Sequence, residues 1–169
     1  KIMAIAYGAS LLLIILASLV LFINYDKIGD KIIMHTDFEG NVTDMRDKTY
    51  LNVFYPSLIS LASLIMFYLI NLMVIKVRPR ISKENLEKSL ANNRKAQKAW
   101  TYYLGLNAFV MTLLFEIGVN FLALKNTSLP LYILTILTVI LSIGGVIYLG
   151  IKVGTDGSRL DKIEDFSFE

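Results

Sequence analysis

No charged residue interrupts the chain from about Ile2 to Ile23, and three further apolar blocks follow at about 50–75, 100–124 and 130–151. A helix crossing the hydrocarbon core of a bilayer needs about 20 residues, so each block is long enough to span. None shows the period-two polarity of a lipid-facing strand, which leaves helices as the spanning elements. The first block is too long for a signal-peptide core and no small-residue cleavage site follows it at Asn24-Tyr25-Asp26, so it reads as a retained helix. Pro56 lies in the first turns of the second block, where a missing N–H does little harm, and Pro130 opens the fourth. The pattern predicts an all-α membrane protein: a four-transmembrane-helix bundle over residues 1–152 with a small extracellular turn or hairpin loop between helices 1 and 2.

Composition agrees with that class. The 169 residues are 55% hydrophobic and only 18% charged, with mean hydropathy +0.58. There is no cysteine, which removes disulfides and thiolate metal sites. The formal net charge is +3, and its distribution matters more than its size. Between residues 76 and 99 stand eight Lys/Arg against two Glu; between 25 and 49 stand four Lys/Arg against six Asp/Glu. Because cytoplasmic loops carry the excess of Lys and Arg, the 76–99 loop is expected in the cytoplasm. Both termini then lie there too, the 25–49 loop faces outside, and the protein is multi-pass in the cell membrane. Tyr25, Tyr50 and Tyr55 flank one set of helix ends and Trp100, Tyr102 and Tyr103 the other, as interfacial aromatics do.

The outer loop carries the most specific signal: Lys31-Ile-Ile-Met-His-Thr-Asp-Phe-Glu-Gly-Asn-Val-Thr-Asp-Met-Arg-Asp-Lys48. Two short alternating runs flank Gly40-Asn41, residue types that tolerate positive φ, so a compact hairpin is the natural reading. Alternation in an extended arm would put Ile32, Met34, Thr36 and Phe38 on one face and Ile33, His35, Asp37 and Glu39 on the other. In its isoleucine-rich approach, its histidine, the glycine five residues later and the following Asp and Lys, the loop resembles that of the SdpI-like family. The matching positions are Ile33, His35, Gly40, Asp44 and Lys48. Members usually have prolines before the histidine and a tryptophan after the glycine, where this chain has Ile32-Ile33 and Met45-Arg46. The resemblance covers about residues 26–61, and the glycine-bearing stretch 153–160 is similar to one that follows the last helix in some members. It implies a bacterial membrane protein that protects its cell from a secreted antimicrobial peptide. Some relatives also hold a transcription regulator at the membrane.

Several side chains are candidates for chemistry. His35, the single histidine, has Asp37 and Glu39 on its predicted face, and imidazole with carboxylates can ligate zinc. The i to i+4 reach of roughly 13 Å makes one short arm an awkward chelator. The other readings are a hydrogen bond that fixes the turn, to its backbone or to Asp44, and a contact with a partner. Glu116 is the sole carboxylate in a predicted span, where a charge costs at least ~2.5 kcal/mol on insertion scales. It is expected either to hydrogen-bond Asn120 or a serine of the second helix, or to meet a cation or the basic group of a peptide. Ser57, Ser60 and Ser63 form a small-residue stripe suited to close packing or, alternatively, to the wall of a polar cavity, and Ser142 with Gly144-Gly145 reads the same way. The basic loop is expected to form a helix over about 81–99, capped by Ser82, with Leu86 and Leu90 as a narrow apolar edge on the membrane. Its Arg78, Arg80, Arg94, Lys95 and Lys98 suit anionic lipid or a cytoplasmic regulator. No nucleic-acid recognition motif accompanies the charge. The tail, 153–169, is polar and expected to be solvated.

With what the resemblance implies, the expectation is a non-enzymatic immunity or sensing protein with no cofactor, no metal and no catalytic residues. The alternative is a small transporter, or a transporter accessory subunit, with Glu116 in a polar path; four helices make a thin transporter unless the protein forms an oligomer. An intramembrane enzyme would need paired carboxylates, a serine/histidine pair or a metal set within the membrane, and Glu116 stands alone there.

Overall fold

The computed structural model describes residues 2–37, 39, 41–76 and 86–160. Gly40 and Phe38 of the outer loop, Arg78 and Arg80, the Ser82 cap with Glu84, and the tail from 161 lie outside the described residues. The chain forms α1 (Ile2–Ile23), a single 3-10 turn (Tyr25–Lys27), β1 (Lys31–Thr36), β2 (Val42–Asp47), α2 (Tyr50–Ile75), α3 (Leu86–Lys125) and α4 (Leu129–Lys152). All four helices are long and apolar enough to cross a membrane, the arrangement of a multi-pass membrane protein. The ends that carry the strands are here termed the hairpin end.

α3 is the central element and packs against α1, α2 and α4, while α1 also packs on α2. Twelve of its residues are buried, against Thr138 alone in α4. Two apolar clusters hold the helices. Near the hairpin end, Leu21, Ile28, Ile32, Val53, Val119 and Ala123 form one core. Tyr7, Ile14, Leu64 and Ala108 form the other. Polar ties supplement them. Asn71, fully buried, donates through Nδ2 to Tyr7 Oη at 3.3 Å and to the Thr101 carbonyl at 3.2 Å, and Tyr7 donates to the Phe67 carbonyl at 3.0 Å. Ser142 donates to Asn107 Oδ1 at 2.8 Å, and Tyr103 donates to the Ser142 carbonyl. Such bonds across apolar helices satisfy groups that have no water to turn to.

Pro56 falls in the second turn of α2, and the helix runs through it without a break. Its start is fixed by Thr49, whose hydroxyl accepts from the Asn52 N–H at 3.1 Å.

The basic helix differs from the sequence expectation. Instead of a separate segment ending near residue 99, residues 86–125 form one helix of 40 residues, about 60 Å long. The hydropathy changes at Trp100, but no glycine or proline lies between Leu86 and Leu104, so nothing in the backbone stops the helix there. Leu86 is exposed and Leu90 half-buried, while Asn92, Asn93 and Ala96 are buried.

The start of the tail lies against Asn92 and Asn93, which corrects the expectation of a solvated segment from residue 153. After α4, Gly154 takes φ +70° and Gly157 φ +82°, and residues 153–160 turn back onto α3. Trp100 Nε1 donates to the Gly154 carbonyl at 2.8 Å and Asn93 Nδ2 to the Asp156 carbonyl at 3.3 Å. Asp156 Oδ1 accepts from the Ser158 N–H and hydroxyl at 3.0 and 2.6 Å, closing the turn. Arg159 Nη1 donates back to the Gly150 carbonyl at 2.6 Å.

Candidate functional site

The strands pair antiparallel, with Lys31 opposite Asp47, Ile32 opposite Arg46, Ile33 opposite Met45, His35 opposite Asp44 and Thr36 opposite Val42. Met34 on β1 and Thr43 on β2 each fall between paired positions, so each strand carries one irregularity. An extra residue shifts which side chains share a face. Ile32 and Ile33, before the irregularity, are both buried, whereas His35, beyond it, is exposed. The expected alternation, with Ile33 on the His35 face, does not survive the irregularity at Met34.

The two buried isoleucines explain why a two-stranded sheet, marginal alone, is held here. Ile32 enters the core with Leu21, Val53 and Val119 from three helices, and Met34 packs against it. At the tip, Asp37 Oδ1 accepts from the Glu39 and Asn41 N–H groups at 3.0 and 2.8 Å, and Oδ2 from Asn41 Nδ2 at 3.0 Å. This carboxylate closes the turn. At the base, Lys48 Nζ donates to the Ile28 and Tyr25 carbonyls at 2.9 and 3.3 Å and lies 4.9 Å from the centre of the Tyr25 ring. Tyr25 in turn stacks on Tyr50 at 4.4 Å. Lys48 thus ties the end of α1 to the start of α2.

The sequence candidates separate accordingly. Asp37 and Lys48 hold the loop, Asp44 pairs with Arg46 at 3.5 Å on the surface, and His35 stays exposed beside a crevice of about 190 Å³. That crevice runs between β1 (Ile33 to Thr36) and the neighbouring ends of α3 and α4, at Leu122, Ser128, Leu131 and Tyr132. Sequence reasoning missed Tyr132, because nothing local shows that the start of α4 meets β1. No group of three His, Cys, Asp or Glu suited to a metal ion forms among the described residues. The basic residues Arg94, Lys95 and Lys98 are exposed on α3 at the opposite end, with Lys98 Nζ 5.6 Å from the Tyr102 ring centre.

Glu116 lies apart from the hairpin, one of the most buried polar residues at 3% exposure. Ser57 of α2 donates to its Oε2 at 3.1 Å, and the Ser60 hydroxyl also interacts with the carboxyl. The serine stripe therefore serves this side chain as well as packing. Asn120 bonds a different group: its Nδ2 donates to the Glu116 backbone carbonyl at 2.9 Å. Glu116 Oε1 and Asn120 Oδ1 are both buried without a hydrogen-bond partner among the described residues.

Compared with known proteins, the chain matches no family model, no curated protein and no solved structure. The role of each side chain therefore rests on its own contacts.

For Lys48 those contacts make a direct prediction. Lys48→Met keeps the methylene stem but leaves the Ile28 and Tyr25 carbonyls without their donor. Hydrogen bonds to a charged group contribute about 1.5–3 kcal/mol, so the loop should open more readily by that amount. Backbone amide exchange over 31–47 should accelerate while exchange within the helices stays unchanged. Equal exchange in the variant and the parent protein would show that the ammonium is not the tie.

Proposed function

We propose that this protein is a non-enzymatic immunity or sensing protein of a bacterial cell membrane, and that its hairpin meets a secreted antimicrobial peptide outside the cell. The observation that carries the reading is the hairpin itself. It is anchored in the helix core through Ile32 and closed at both ends by Asp37 and Lys48. Each strand pairs only with the other among the described residues, so each has a further edge with no strand partner. Such an edge with a crevice beside it suits an extended peptide, which adds backbone hydrogen bonds at the edge and sets specificity with side chains in the crevice. Exposed His35 and half-buried Tyr132 would supply the polar contacts there. The excess of Lys and Arg at 76–99 supports the orientation, with both termini cytoplasmic. The resemblance of the loop to the SdpI-like family supports the same reading. At the other end, Arg94, Lys95 and Lys98 would meet anionic lipid or a cytoplasmic regulator.

The test is survival. A susceptible bacterium expressing the chain is challenged with secreted peptides from related strains, alongside His35→Ala and Tyr132→Ala variants. The parent protein should raise the inhibitory concentration of at least one peptide, and each variant should lose about tenfold of that protection at equal membrane abundance. Such a loss corresponds to about 1.4 kcal/mol of binding. No protection by the parent protein at confirmed expression would overturn the proposal.

A further inference from the structure

On the flank of α3 that meets α1, away from the hairpin, an open groove of about 380 Å³ runs along the two helices. Leu16 and Val20 of α1 and Ile117 and Phe121 of α3 form its apolar walls, and Glu116 and Asn120 line it one helical turn apart. The wall residues are each 41–50% exposed, so the groove is open to whatever surrounds the helices. Its volume lies within the range of small-molecule sites.

The polar chemistry of the groove is one-sided. Ser57 occupies Glu116 Oε2, leaving Oε1 buried and unpartnered. The Asn120 amide cannot turn its nitrogen into the groove without giving up the 2.9 Å bond to the Glu116 carbonyl, so its free atom is the oxygen. Beside the serines of α2 that meet the Glu116 carboxyl, two acceptor oxygens thus lie just beneath an otherwise apolar surface, each without a hydrogen-bond partner of its own among the described residues. Buried polar atoms are almost always satisfied, and an exception in a groove points to a missing partner. That partner has to donate at least two hydrogen bonds, and an ammonium does so while favouring the ionised carboxylate beside it.

We propose that this groove binds an amphiphilic primary amine from the bilayer, its ammonium donating to Glu116 Oε1 and Asn120 Oδ1 and its alkyl chain lying along Leu16, Val20, Ile117 and Phe121. The depth of the two acceptors fits a ligand dissolved among the chains. Glu116 is nine residues from the Lys125 end of α3 and Asn120 five, or roughly 13 and 8 Å along the axis. Entry is lateral, through the exposed wall. The site is independent of the hairpin and stands or falls separately from peptide recognition.

The experiment uses the full chain in neutral detergent micelles and follows thermal unfolding as n-dodecylamine is added at neutral pH. Dodecyltrimethylammonium is the control, having the same chain and charge but no N–H. The amine should stabilise the protein saturably and the trimethyl analogue should not. Glu116→Gln keeps an acceptor for Ser57, so the fold is retained, while the freed position becomes a donor. It should weaken the amine response by roughly tenfold, since the charge-assisted bond is lost. Asn120→Leu, which removes only a bond within its own helix, should weaken the response as well and carries the test if Glu116→Gln unfolds. Absence of any saturable stabilisation, equal stabilisation by the trimethyl analogue, or an unchanged response in Asn120→Leu overturns the site. A water molecule would then be the partner of the two oxygens.

Discussion

Replacing Gly157 with alanine should release residues 153–160 from α3 while leaving the four helices folded. At φ +82° a Cβ is disfavoured by about 1–2 kcal/mol. Space is the larger obstacle. An added Cβ would stand 2.3 Å from the Asn92 carbonyl oxygen and 2.5 Å from its carbon, both backbone atoms of a continuous helix. They have no rotamer to escape into, and overpacking of this kind costs about 1–3 kcal/mol. Against this stand the Trp100 and Asn93 bonds to backbone carbonyls of the segment, each contributing about 1 kcal/mol net; the Arg159 bond runs to Gly150 of α4 and does not hold the segment on α3. The cost exceeds what the two bonds contribute, so the docked segment should be largely detached in the variant. Trp100 is the single tryptophan of the chain, which makes the readout direct. Its emission should shift to longer wavelength and quench more readily, and trypsin should cut after Arg159 faster. A variant with the emission and cleavage of the parent protein would refute the docked arrangement.

Gly145 and its neighbour Gly144 should respond in opposite ways to the same substitution. An added Cβ at Gly145 would lie 2.2 Å from a ring carbon of Tyr103, whereas at Gly144 nothing stands within 4 Å. The Tyr103 ring is not free to swing aside, since its hydroxyl is held by the Ser142 carbonyl and its edge packs on Trp100. Gly145→Ala should therefore destabilise the α3–α4 contact by about 1–3 kcal/mol, lowering the thermal midpoint. Gly144→Ala should be neutral or raise it, because alanine is the better helix former by up to about 1 kcal/mol. Removing the ring as well, in Tyr103→Ala/Gly145→Ala, should recover part of the loss, since the two positions are in contact and their effects cannot be additive. Equal midpoints for the two alanine variants would mean that α3 and α4 do not meet at this point.

The helices were legible because the length of an apolar block is a one-dimensional property. The start of the third helix was misplaced for the same reason: hydropathy changes at Trp100, but a helix begins and ends where its backbone is interrupted, and between Leu86 and Leu104 it is not. A serine of the second helix was foreseen as a partner of Glu116, and Ser57 is one. Asn120 was foreseen too, yet it bonds the backbone of Glu116 and leaves the carboxyl oxygen free. Around the hairpin, the residue types pointed to a turn at Gly40-Asn41 with Asp37 and Glu39 still in the first arm, whereas β1 ends at Thr36 and Asp37 bonds Glu39 and Asn41 instead. The irregularity at Met34 was not legible in them, because it depends on pairing across strands, and it takes His35 off the face that Ile33 occupies. The tail was read as solvated from its polarity. Its attachment is made by backbone carbonyls and two glycines, groups that carry no hydropathy signal.

The unbroken α3 also has a mechanical consequence. Its Val119 and Ala123 sit in the core that seats the hairpin, and its Asn92, Asn93 and Trp100 receive the tail. Its hydrogen-bond ladder is continuous between those stations, so the rod resists absorbing a tilt locally. A load that leans the hairpin end about a pivot in the middle of the rod must swing the tail seat through the same angle in the opposite direction. Two surfaces at opposite ends of the molecule are therefore coupled as the arms of one lever.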